Sequence, residues 1–181
     1  MGDAAERTGV GPMAAVAGAI AELAIRQTTT VNAEHIVDNG GDIFLCLCEE
    51  ALVGLYAGDR RGLPPLALRV APELTPLAIC SSSSTMGHST SLGNCELATV
   101  LSKSGALADA AATAACNSVR TRADIQPTLE RIGAVPGVIG VILINDGHLG
   151  MIGDLPPVVR TGGSSYVRKV AGSPPGLRPD V

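Results

Sequence analysis

Two oxygen-bearing side chains stand four residues apart in Ala108-Asp109-Ala110-Ala111-Ala112-Thr113. On a helix that spacing puts a carboxylate and a hydroxyl on one face, a turn apart. Both are hard donors, and magnesium takes few protein oxygens, keeping the rest of its octahedron for water or phosphate. Asp109 and Thr113 are therefore the candidate metal ligands, and the alanines around them leave room for a bound molecule. The same spacing also suits a threonine bonded back to its own helix beside a solvated aspartate. A second stretch, Ser81-Ser82-Ser83-Ser84-Thr85 followed by Gly87 and His88, offers hydroxyls, backbone amides and a sharp turn, enough to cradle a phosphate. Within it Ser82, Ser83, Thr85 and Gly87 are candidate ligand contacts. His88, which titrates near neutrality in water, is the candidate general acid or base. A serine-rich surface turn would read the same way. The third stretch is Asn39-Gly40-Gly41-Asp42, where paired glycines let backbone approach a ligand and Asp42 supplies a polar handle. A plain hairpin turn accounts for it equally well.

The five cysteines include no C-x-x-C pair, so Cys46, Cys48, Cys80, Cys95 and Cys116 read as small buried hydrophobes rather than as a metal or disulfide framework. His35 and His148 read as structural or solvated.

The elements that must position these groups follow from propensity and turn residues. Pro12 and the alanine-rich run behind it predict a buried helix over residues 12–26. Residues 35–38 and 43–48 around the glycine turn predict a hairpin, and residues 51–56 and 66–70 further strands between Gly and Pro breakers. A strand over 77–80 runs into the serine stretch, which reads as a loop. A strand at 97–101, helices at 106–119 and 127–132, and a hairpin of 138–144 with 148–152 complete the pattern. Strands and helices without strict alternation predict an α+β layered fold with a mixed or antiparallel sheet, hairpins and a few packed helices. Residues 1–160 form one domain on this reading, and the Gly-, Ser- and Pro-rich residues 161–181 a flexible tail.

Hydrophobic residues make up 46% of the chain and aromatic ones 2%, so the core must be built of Ala, Val, Leu and Ile. A mean hydropathy of +0.32 predicts that some apolar surface is buried between subunits, hence a homodimer. A net charge of −4 with scattered Lys and Arg argues against nucleic acid as a partner. The start of the chain lacks a secretory signal and no apolar run is long enough for a membrane, so the expected location is cytoplasmic.

Taken in order, Val10 to Glu22, Asn39 to Phe44, Cys80 to Gly93 and Ala108 to Thr113 resemble the ApbE-like superfamily, in its short cytoplasmic branch. That superfamily includes the FAD:protein FMN transferases, once described as thiamine-biosynthesis lipoproteins. The resemblance, over residues 9–152, implies an ApbE-like fold around magnesium and FAD or FMN. Asp109 and Thr113 would hold the metal with a backbone oxygen near the first helix start, while Gly11, Gly40 to Asp42 and Ser82 to His88 would surround the ligand. It implies magnesium-dependent handling of a flavin or other phosphate-bearing molecule, with FMN transfer or FAD cleavage as the reaction. The short branch is also associated with homocysteine formation, which makes an accessory role in sulfur amino-acid metabolism the alternative. A non-catalytic binding or structural module is a further one. Relative to the transferases the chain begins almost at the first motif. Ser84 occupies a glycine place, where a positive φ would cost about 1–2 kcal/mol. Cys95-Glu96-Leu97 replaces a usual Ala-Asp-Ala.

Overall fold

A computed structural model describes residues 1–28, 33–58, 63–85 and 93–161. The expectations for Gly87, His88 and the tail beyond residue 161 lie outside the described residues.

The described residues fold as α+β, with four α-helices and nine strands in two antiparallel sheets. The larger sheet is built from β1 (His35–Asn39), β2 (Asp42–Cys46), β5 (Leu77–Ser82), β6 (Leu97–Ser102), β7 (Val138–Asn145) and β8 (His148–Gly153), in the order β1-β2-β5-β6-β7-β8. The smaller has the order β3-β4-β9, from β3 (Ala51–Leu55), β4 (Leu66–Val70) and β9 (Val158–Arg160).

Because successive strand residues face opposite sides, each central strand feeds two cores. Phe44, Ala78, Cys80, Ala98, Val100, Val141 and Leu143 point to the helices. Leu45, Leu77, Ile79, Leu101, Ile142 and Ile144 point to the smaller sheet, where Leu55, Leu66, Leu68 and Val70 meet them. The layers are thus helices, large sheet, small sheet.

The helices are α1 (Gly2–Thr8), α2 (Val16–Arg26), α3 (Gly105–Ser118) and α4 (Ile125–Gly133). Ser104 caps α3 by accepting a hydrogen bond from Leu107 N. Alanines bury α3 on most of its circumference, since α1, α2, α4 and the sheet all pack on it. The expected buried helix over residues 12–26 differs from what forms. Pro12–Ala15 is a 3-10 turn, α2 begins at Val16, and Met13, Ile20 and Leu23 are exposed. The serine stretch also differs: β5 continues through Ser81 and Ser82, which pair with Thr99 and Ala98, because β6 supplies a partner for two further residues. Among the described residues no single helix is long and apolar enough to cross a membrane. The run through α1 and α2 has the length and composition but is bent by 109° between them.

Candidate functional site

The β1–β2 turn is made by Gly40 and Gly41, at φ 72° and 104°, conformations that residues with a Cβ rarely adopt. Asn39 and Asp42 are therefore not loop residues but the paired last and first residues of the two strands. Asn39 reaches α2, its Nδ2 donating to Ala17 O at 3.2 Å. Asp38 Oδ1 accepts from Gly41 N at 2.9 Å and holds the turn. Asp42 lies opposite Cys80 of β5, and with Phe44 and Cys80 on the helix side it shares that face. By the same alternation Ser82 faces the helices, while Ser81 faces the smaller sheet and bonds Thr99 Oγ1 at 2.8 Å.

Over this face α2 and α3 cross at Gly18 and Gly105. A Cβ on either glycine would collide with the backbone of the other helix. That close approach brings Gly18 N within 2.9 Å of Asp109 Oδ2, to which it donates. Glu22 completes the crossing, its Oε2 accepting from Gly105 N at 2.7 Å and its Oε1 pairing with Arg26 at 2.7 Å.

The site is thus a meeting of two carboxylates from distant parts of the chain. Asp42 is only 9% exposed and Asp109 8%. Burial, then the charge of Asp109, raises the Asp42 carboxyl to about 7, against which the Cys80 thiol and the Ser81 amide pull only weakly. Burial raises Asp109 to about 6, opposed by the backbone amides of Gly18 and Ala17. Asp42 Oδ1 is buried with no hydrogen-bond partner. Desolvation and the negative charges of Asp42 and Asp109 push the Cys80 thiol up as well, and its Sγ–H donates to Gly105 O at 3.7 Å.

The predicted site residues divide accordingly. Asn39, Gly40, Gly41, Asp42 and Asp109 come together, with Ser82 on the same sheet face. The resemblance implies a backbone oxygen near the start of the first helix as a third metal ligand beside Asp109 and Thr113; what the structure shows at that place is Gly18 N–H donating to Asp109 Oδ2. Thr113 is half-buried one turn further along α3. Gly11 is exposed at the entrance to the 3-10 turn. Ser83 and Thr85 are engaged with each other, Thr85 N donating to Ser83 Oγ at 3.1 Å, so a ligand would have to compete for them. Ser84 donates through both N and Oγ to Cys95 O, and the strain expected there does not arise: among the described residues Asp146 is the non-glycine at positive φ.

The expectation of buried cysteines holds for Cys80, Cys95 and Cys116, while Cys46 is half-buried and Cys48 exposed. Among the described residues no three His, Cys, Asp or Glu side chains form a metal cluster. A cleft of about 490 Å³ opens beside Ser84 and Thr85, lined also by Glu96, Arg120, Arg122 and Asn145. Asp109 does not line it. Sequence reasoning missed both arginines, which stand in no recognisable motif.

A family model described as AbpE bacteria matches residues 1–136. The chain is 40% identical over 167 residues to a UPF0280 protein of Methanocaldococcus jannaschii, an alignment covering 89% of this chain and 67% of that one. It is 40% identical over 158 residues to a UPF0280 protein of Methanocella arvoryzae, covering 87% and 64%. With a UPF0280 protein of Methanothrix thermoacetophila the identity is 42% over 152 residues, covering 83% and 63%. The chain spans about two thirds of the length of these curated relatives. These matches overturn the resemblance to the ApbE-like flavin-transferase superfamily, for they carry the chain to UPF0280 proteins and not to FAD:protein FMN transferases. The misleading blocks are short and rich in Gly, Ala and Ser, residues that a tight hairpin or a closely packed helix demands whatever the ligand. The chain belongs to the family described as AbpE bacteria, in the company of UPF0280 proteins.

Proposed function

We propose that this protein binds a small phosphate-bearing ligand together with a magnesium-type cation held at Asp109. The observation that carries the reading is the buried, like-charged confrontation of Asp109 with Asp42, which a divalent cation would relieve. The donors fit such an ion: they are hard carboxylate oxygens, and one of them, Asp42 Oδ1, is orphaned. An ion with few protein ligands keeps positions for phosphate oxygens. Ser82 lies on the same sheet face as Asp42, and Thr113 one turn beyond Asp109 on α3. The bound ion would supply charge neutralisation at the phosphate. The chain's own part is to fix Asp109 through Gly18 N–H and to exclude water by packing α2 and α3 over the sheet.

The test is calorimetric titration of the protein with inorganic pyrophosphate, FAD and FMN, each with and without Mg²⁺. At least one should bind only with Mg²⁺, and Asp109→Asn should remove that binding while leaving the circular dichroism unchanged. No heat with any of the three under either condition ends the phosphate reading. The reading includes a homodimer, supported by the exposed apolar Met13, Ile20 and Leu23.

A further inference from the structure

We propose that Asp42 is a second protein ligand of the cation held at Asp109, so that one divalent ion joins the start of β2 to the second turn of α3. The inference rests on the cation reading above and adds to it the residue that makes the site bidentate in carboxylates.

One buried carboxylate oxygen at the β1–β2 turn accepts no hydrogen bond. A buried acceptor without a donor costs about 1–3 kcal/mol, and a buried unpaired charge costs more, so native folds rarely leave one without a use. Asp42 Oδ1 is such an atom, on a side chain more than nine-tenths buried. The groups around it do not neutralise it. Asp38 on β1 adds negative charge and is itself spent on Gly41 N. Asn39 is turned to Ala17 O. Glu22 on α2 is occupied by Gly105 N and Arg26. Arg26, which lies over the Phe44 ring two residues from Asp42, is the nearby cation, and Glu22 already holds it. Among the described residues no ion pair reaches Asp42 or Asp109.

Cys80 does not change the ligand class. Its thiol is buried, with its single proton shared between the Asp42 carboxylate and Gly105 O, and a soft metal would need it as a thiolate. What remains is two oxygen-donor side chains near enough for the charge of Asp109 to act on Asp42, one of them with a buried oxygen that accepts nothing. The cation is favoured because the two carboxylates come from separate elements and each is held from behind, Asp42 by the strand pairing Asp42–Cys80 and Asp109 by Gly18 N–H. Such preorganisation keeps like charges together and is repaid by an ion of charge two.

Binding of Mn²⁺, used as a paramagnetic stand-in for Mg²⁺, should be measured on the whole chain by electron paramagnetic resonance of the free ion. Wild type should retain one equivalent, and Asp42→Asn should weaken retention at least tenfold, as should Asp109→Asn. In EDTA the Asp42→Asn protein should melt at or above the wild-type temperature, since the substitution keeps the shape and removes the repulsion, and added Mn²⁺ should no longer raise it. If the asparagine variant does not fold, Asp42→Ser is read in the same way. Wild-type protein that retains no Mn²⁺ removes the cation reading and this inference together. Retention by Asp42→Asn within twofold of wild type, with loss in Asp109→Asn, overturns this inference alone and leaves the cation at Asp109.

Discussion

Burial raises the Asp42 carboxyl to about 7 and that of Asp109 to about 6, both well above the ordinary aspartate range. Each therefore holds its proton more tightly in the folded chain than in the unfolded one, and protonation favours folding. Their contribution is fully present below about pH 4, and it is lost as the pH rises through 6 and 7. One pKa unit corresponds to about 1.4 kcal/mol, so metal-free protein should lose a few kcal/mol of stability between pH 4 and pH 8 on account of this pair. Urea titrations in EDTA across that range check it. Asp42→Asn should flatten the profile, and an unchanged slope in that variant would show that the pair is not the cause. The residue types are legible in the sequence, since Asp42 and Asp109 each stand in a stretch whose residues can do oxygen chemistry. Their partnership is not, because they stand 67 positions apart in the chain and only the β2–β5 pairing and the α2–α3 crossing bring them together.

At the scale of elements the decisive feature is the glycine-to-glycine crossing of α2 and α3. Gly18→Ala places a methyl where the backbone of Gly105 already lies, and neither helix can yield without moving Asp109 away from Gly18 N. Overpacking of this kind costs about 1–3 kcal/mol, and here the loss should sit near the top of that range. Chemical denaturation of Gly18→Ala and Gly105→Ala measures it. A change below about 0.5 kcal/mol in both would mean that the helices do not approach so closely. Most strands were legible, and residues 66–70 form β4 with those bounds, because breakers and β-branched residues act locally. The missed elements, α1 and β9, are short and carry little local signal; α1 is held by packing on α3 and β9 by pairing with β4. The serines at the end of β5 read as loop because propensity penalises them there, and β6 pairing overrides it.

The described residues form three layers, with the site at one end of the helix-facing side of the large sheet, under the start of α2. The smaller sheet lies on the opposite face, with its hydrophobic contacts behind the site rather than within it. The exposed stripe of Ile20 and Leu23 on α2, with Met13 before it, is the surface that a homodimer would bury. On that arrangement sedimentation velocity should show a dimer for the wild type and a monomer for Leu23→Glu, whose charge would be stranded in an apolar interface. Equal sedimentation coefficients for the two proteins would remove α2 as the interface.

By itself the sequence determined the class of fold, the two hairpin turns and the small-residue core, because periodicity, glycine and alanine act over a few neighbours. It also marked the residues able to do oxygen chemistry. Only the tertiary structure decided which of them share a site. Strand register turned Asp42 and Ser82 toward the helices and Ser81 away, and the Gly18–Gly105 contact set Asp109 against the sheet. Those choices depend on contacts between residues far apart along the chain, where no local pattern of residue types records the outcome.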